Sequence, residues 1–269
     1  METTLPELLL ASMLVGAATL ACRRWGNRIG GLVSALPAVV GPLLLITAQQ
    51  HGAAFTARAA NGTLLGLAGL GAFALAYGRA AVRAGWGVSL VAGWAAAAVV
   101  AAVAGSLGGG LGFPGGLAVA AVSLTFAYRA LPPCAPEASI SPDESRAWGG
   151  IALRMALTAA LVAILAAAAT LFGAVAGGML AGLPVLASVL ALATHRRDGA
   201  AATVALLRGM LSGMSGFVCF CVAVEALIVP AGIAAAFITA TLATLGLHAL
   251  LWRARDRGSA LALLRRAFA

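Results

Sequence analysis

Few residues in this chain can do chemistry. Its acidic residues are Glu2, Glu7, Glu137, Asp143, Glu144, Asp198, Glu225 and Asp256, and its histidines are His51, His195 and His248. None of them forms an HExxH metal pattern, a carboxylate pair or a Ser/His/Asp set at one depth. Cys22, Cys134, Cys219 and Cys221 make no ligand set, and Cys219 and Cys221 point to nearly opposite sides of a helix. Gly108-Gly109-Gly110-Leu111-Gly112 lacks the lysine of a phosphate loop and reads as an external turn. His195-Arg196-Arg197-Asp198 is polar enough for an anion contact but reads as a solvated loop. The sequence therefore predicts no enzyme, no cofactor and no metal site.

The chemistry that remains is that of broken helices in apolar surroundings. Pro37 and Pro184 each stand at the end of a Gly-Gly-x5-Pro pattern, near the middle of an apolar run. Proline removes a backbone hydrogen bond and clashes with the preceding turn. In lipid the freed carbonyls must find partners or face a cavity. Ser34, Thr47, Ser188 and Thr194 lie nearby, and with Pro37 and Pro184 they form the candidate substrate-binding set. Glu225, toward the outer end of its apolar run, is the candidate for ion or proton coupling. Each has a plainer alternative: a packing kink at the prolines, hydroxyls bonded back to their own helix, an interfacial carboxylate in water.

The elements that must position these residues follow from composition. Of 269 residues, 62% are hydrophobic and 9% charged, with a mean hydropathy of +1.03. Soluble domains carry about 25% charged residues. A water-soluble enzyme or a nucleic-acid-binding module is thereby excluded, despite the net charge of +9. All 17 basic residues are arginine, clustered between long apolar runs. The fold class is all-α: a polytopic transmembrane helical bundle. Nine spans are expected, at 6–22, 29–48, 60–78, 86–105, 112–130, 150–171, 174–193, 204–228 and 231–251. The last two are divided by a turn at Pro230-Ala231-Gly232.

If nine spans alternate, every arginine except Arg58 falls on one side, which the positive-inside rule makes cytoplasmic. Trp25, Trp86, Trp148, Trp252, Tyr77 and Tyr128 sit at the same ends of their spans, as half of an aromatic belt. The N-terminus is then outside and the C-terminus inside. The first run has no basic residues before it and reads as a retained helix rather than a signal peptide.

A shift of 147 residues aligns the chain with itself. Gly30-Gly31-Leu32 through Pro37 falls on Gly177-Gly178-Met179 through Pro184. Gly52, Thr56, Gly62, Gly66, Gly69 and Phe73 fall on Gly199, Thr203, Gly209, Gly213, Gly216 and Phe220. The copies begin five spans apart, an odd number, so they face opposite ways. The arginines agree: Gln49-Gln50-His51 aligns with Arg196-Arg197-Asp198, so each loop is basic only where it is cytoplasmic. The layout is two inverted four-helix repeats plus a linking helix. Residues 1–110 are the first repeat, 111–147 the linking span and a cytoplasmic loop, and 148–252 the second repeat. Residues 253–269 form a basic interfacial helix on the anionic inner leaflet. The glycines of spans three and eight are expected to let those two helices cross closely.

From Ile29 to Tyr77 the chain resembles the small GlpM-like bacterial membrane proteins, in Gly31-Leu32 to Pro37, the apolar run after it, a short polar loop and a glycine-bearing next span. The resemblance implies two tandem units and a bacterial inner-membrane location, with no catalytic residue carried over. Inverted repeats with interrupted helices are the plan of secondary transporters. The sequence thus leads to a transporter of a small or amphiphilic solute by alternating access. Its partners are the lipid bilayer and that solute, with no nucleic acid, and a homo-oligomer is compatible with it. The alternative is a non-transporting membrane protein that organises or regulates an envelope partner.

Overall fold

A computed structural model of the chain describes residues 40–108, 112–133 and 173–267, except 176 and 181, together with Met13 and Leu20 as isolated helical positions. The expected span six, almost all of span one, the first part of span two and the loop 134–147 lie outside the described residues. All described secondary structure is helical, without a strand. α1 covers Val40–His51, α2 Ala53–Ala81, α3 Trp86–Gly108, α4 Phe113–Ala130, α5 Val185–Ala231 and α6 Ile233–Ala267. A short helical stretch around 173–180 precedes α5. Among the described residues, Ala53–Ala81, Trp86–Ser106, Gly173–Ala231 and Ile233–Leu251 are long and apolar enough to cross a membrane.

Helices are the expected response of such a chain. Ala- and Leu-rich runs favour them, and a helix satisfies its backbone groups internally where water is scarce. α2 is the central element, packed against α3, α4 and α5. It buries Thr56, Thr63, Phe73 and Tyr77 completely. α3 and α6 lie outside and leave Val91, Val99, Val103, Leu242 and Leu245 exposed. A face of that kind suits hydrocarbon better than water.

Two sharp corners have the same construction. Gly52, between α1 and α2, has φ 82° and ψ 171°. Gly199, within α5, has φ 83° and ψ −175° and divides it into two arms, 185–198 and 200–231. Glycine tolerates this region and other residues do not. At each corner a threonine four residues on donates its hydroxyl back to the glycine carbonyl: Thr56 Oγ1 to Gly52 O at 3.0 Å, and Thr203 Oγ1 to Gly199 O at 2.9 Å.

Contacts fix the directions. A Cβ on Gly62 would overlap Val175, one on Gly66 would lie 2.5 Å from the Met179 carbonyl, and Tyr77 meets His195. Residues 173–198 therefore run parallel to α2. Leu207 lies beside Gly78, so the second arm has turned back and runs antiparallel to α2. Phe220 of that arm lies against Gly41, which puts the start of α1 near the middle of the bundle. α1 and the first arm of α5, 147 residues apart in sequence, thus leave the middle toward opposite ends.

The outer helices repeat one register. A Cβ on Gly69 of α2 would lie 3.3 Å from Ala97 O and 3.9 Å from Ala101 Cβ of α3. A Cβ on Gly216 of α5 would overlap His248 of α6, and Thr244 Oγ1 donates to Gly216 O at 3.2 Å. Thr244 and His248 are the positions that match Ala97 and Ala101 under the 147-residue shift.

Three expectations change in detail. Gly62 and Gly66 of span three face residues 175–182 rather than the glycines of span eight, because the broken segment fills the groove they leave. Pro230 lies inside the last turn of α5, and the reversal is made by Gly232 at φ 83°. α6 continues without a break through the basic tail to Ala267, since Ala, Leu and Arg are strong helix formers.

Candidate functional site

The candidate site is built around an interruption in the helix preceding α5. The chain leaves the helix at Gly182 and re-enters it at Val185, with Pro184 as the N-cap at φ −77° and ψ 42°. Gly182 N–H still reaches back to Gly178 O at 3.1 Å, and Leu183 N–H to Leu180 O at 3.2 Å. The new helix begins with Ser188 N–H donating to Pro184 O at 2.8 Å. Val185 N–H donates to Leu183 O at 2.8 Å, and Pro184 offers no side-chain cap, so the next amides, of Leu186 and Ala187, need partners from outside their own helix.

Glycines place this break at the middle of α2. A Cβ on Gly178 would overlap the Ala59 carbonyl. One on Gly182 would lie 2.8 Å from Thr63 O and 2.9 Å from Gly66 Cα. Backbones in such contact allow no side chain between them, which holds the end of the short helix against α2. Gly66 lies close to the centre of Ala53–Ala81, so the interruption sits near mid-depth if α2 crosses the bilayer.

The structure separates the predicted site residues by role. Ser188 is buried and its hydroxyl donates to Val185 O at 2.8 Å. Thr47 donates to Leu43 O at 2.8 Å. These two protons are used within the helix, leaving the oxygen lone pairs for any ligand. Thr194 is buried on the first arm of α5, two turns beyond Ser188. Ser34 and Pro37 lie outside the described residues. Glu225 stands on the second arm of α5, roughly 27 Å along the helix from Leu207 at 1.5 Å per residue. It belongs to the opposite end of the bundle, and its Oε2 is buried without a hydrogen-bond partner among the described residues. Pro184, Ser188 and Thr194 therefore share one arm, while Glu225 stands apart from them.

A second polar group, at the other end, escaped the sequence reading as a cluster. Tyr77 is completely buried at the end of α2, and its hydroxyl lies 3.3 Å from His195 Nδ1. The Arg196 guanidinium sits 5.1 Å from the ring centre of Trp86. Arg208 Nη2 donates to Leu131 O at 2.9 Å and Pro132 O at 3.0 Å, and its guanidinium carbon lies 5.2 Å from the Tyr128 ring centre. Arg79 Nε donates to Ala130 O at 3.3 Å. Three of the aromatics expected in a lipid-facing belt, Tyr77, Trp86 and Tyr128, are thus partners for arginine and histidine. Tyr77 is no belt residue at all, because α2 is enclosed by three other helices. His195 and Arg196 belong to a helix rather than a solvated loop. The signal in the sequence was the coincidence of aromatic and basic residues at the same span ends.

Among the described residues no three His, Cys, Asp or Glu side chains come together to hold a metal ion. Searched against protein-family models, curated proteins and solved structures, the chain matches none.

Proposed function

We propose that this chain is a bacterial inner-membrane transporter of a small or amphiphilic solute, working by alternating access between two inverted repeats. The observation that carries the reading is the pairing of positions 147 residues apart. Gly52 and Gly199 share a backbone conformation and a threonine hydrogen bond, and the arms ending at them point to opposite ends of the bundle. Two such halves give inward-open and outward-open states of similar energy, which is what alternating access requires. In this reading the interruption at Gly182–Pro184 forms one half of the site, and the Gly-Gly-x5-Pro pattern that ends at Pro37 supplies the other. The first amides of α5 supply a partial positive charge there, suited to a polar or anionic group of the solute. Ser34 and Ser188 supply neutral hydroxyl oxygens for it, and Thr47 and Thr194 stand farther out along the two arms. The apolar surroundings favour a solute with an apolar body. Glu225, away from that centre, is the coupling candidate at the outer end.

The test compares cells lacking the protein with cells carrying wild type or the Pro37→Ala/Pro184→Ala double variant. Small-molecule contents of cells and medium are measured in all three. The reading expects one class of solute to change on deletion, and the double variant to match the deletion while remaining in the membrane at wild-type amounts. If the double variant behaves as wild type for every solute that responds, the site is wrong. If no solute responds, the chain is not a transporter, and a role in organising an envelope partner takes its place.

A further inference from the structure

The two ends of the bundle are closed by different chemistry. At the arginine-rich end, the second repeat holds the first through Tyr77–His195 at 3.3 Å and through Arg196 over Trp86 at 5.1 Å. The 147-residue shift turns Tyr77, His195, Trp86 and Arg196 into Val224, Ala48, Ile233 and Gln49. Val224 and Ala48 are buried like their counterparts, at 0% and 2% exposure, but have no polar side-chain atom to pair. Among the described residues, neither the Tyr77–His195 bond nor the Arg196–Trp86 contact has a counterpart at the other end.

We propose that the Tyr77–His195 and Arg196–Trp86 contacts form a latch that keeps the arginine-rich end closed, so that opening there is the harder of the two movements. The inference rests on the alternating-access reading and adds to it an asymmetry between its two states. An inverted repeat with identical ends would populate the two open states equally. Here, opening the arginine-rich end separates a hydroxyl–imidazole hydrogen bond and a cation–π contact. The matching positions of the other end, Val224 with Ala48 and Ile233 with Gln49, offer neither a hydroxyl–imidazole pair nor a cation over an aromatic ring. The first arm of α5 is the moving part, since His195 and Arg196 are on it and Gly199 follows as its hinge.

Paired cysteines read the latch without any solute. Ala191 lies one turn before His195 on the same helix face, and Leu44 stands in the matching place before Ala48. Both are buried, at 0% and 2% exposure. With Cys22, Cys134, Cys219 and Cys221 replaced, Ala191→Cys and Leu44→Cys are introduced singly into the full chain in membrane vesicles. Thiol labelling rates are then compared with and without Tyr77→Phe and Arg196→Gln. Tyr77→Phe removes one oxygen atom, and Arg196→Gln installs the residue found at the other end, so neither demands refolding. The latch expects labelling at position 191 to rise about three- to ten-fold in the double variant, with each single variant between. Position 44 should stay constant or fall. An unchanged rate at 191 overturns the proposal. So does an equal rise at both positions, which is what a merely structural contact would give. The readout needs no solute, so a failed transport assay leaves the result standing, and a failed latch leaves the transport reading intact.

Discussion

Asn61 and Arg208, 147 positions apart, lie against opposite ends of the same helix. Asn61 packs on Gly116 in the first turn of α4, where a Cβ would overlap its Oδ1. Arg208 donates to Leu131 O and Pro132 O just past the last turn. α4 is thus contacted at its two ends by residues that the 147-residue shift pairs. The carbonyls at a helix end are among the groups its own ladder leaves unsatisfied, and a guanidinium is a suitable partner for them.

Arg208→Ala should therefore loosen the C-terminal end of α4. Two hydrogen bonds to a charged donor are lost together with the stacking on Tyr128, and a destabilisation of about 2 kcal/mol is expected. Arg208→Lys keeps the charge without the planar fork and should recover part of it. Thermal unfolding of the detergent-purified protein measures both. A wild-type midpoint for Arg208→Ala would show that the contact contributes nothing.

The two glycine corners give an independent check on their equivalence. Nothing lies within 4 Å of a Cβ built on Gly52 or Gly199, so alanine would meet only the backbone penalty of a positive φ. That penalty is about 1–3 kcal/mol. Gly52→Ala and Gly199→Ala should lower stability by similar amounts in the same unfolding assay. A large loss at one and none at the other would mean that the corners are alike only in shape.

Composition and hydropathy made the helices legible, because apolar runs of about 20 residues have few other outcomes. The glycine and proline pattern made the 147-residue shift legible, since Gly52, Gly199 and Pro184 are needed for backbone shapes that other residues resist. Partner choice was not legible. The sequence paired the glycines of span three with those of span eight, whereas Gly62 and Gly66 receive Val175, Met179 and Gly182. Small residues say that something approaches closely and not what approaches. Tyr77 was misplaced for a related reason. A tyrosine at a span end is ordinarily interfacial, but this helix is central, and that is a property of the assembly. Pro184 and its hydroxyl neighbours were legible as a break, while the hydrogen bonds that occupy Thr47 and Ser188 are visible only in three dimensions.

Close backbone contact between α2 and residues 175–182 should make glycine there hard to replace. Gly66→Ala, Gly178→Ala and Gly182→Ala each push a methyl group into opposing backbone, and overpacking of this kind costs about 1–3 kcal/mol. Gly87 on α3 and Gly246 on α6 have nothing within 4 Å. Alanine at those two positions should be neutral or slightly stabilising, because it is the better helix former. Equal effects in the two groups would remove the glycine contact as the reason for the packing.

Topology is the most economical check of the inverted arrangement. His51 ends α1, and Asp198 ends the first arm of α5, where it pairs with Arg197 at 3.1 Å. The two residues precede Gly52 and Gly199 in equivalent places, and the arms carrying them point to opposite ends of the bundle. In a cysteine-free chain carrying His51→Cys or Asp198→Cys, an impermeant thiol reagent added to intact cells should label position 51 and spare position 198. Permeabilised cells should label both. The sign follows from the arginines: Arg79, Arg129, Arg196, Arg197 and Arg208 stand at the end that holds Asp198, and the positive-inside rule turns that end to the cytoplasm. Labelling at 198 alone would reverse the orientation and keep the inversion. Labelling at both positions in intact cells would put the two corners on one side of the membrane, and alternating access between inverted halves would then have no geometric basis.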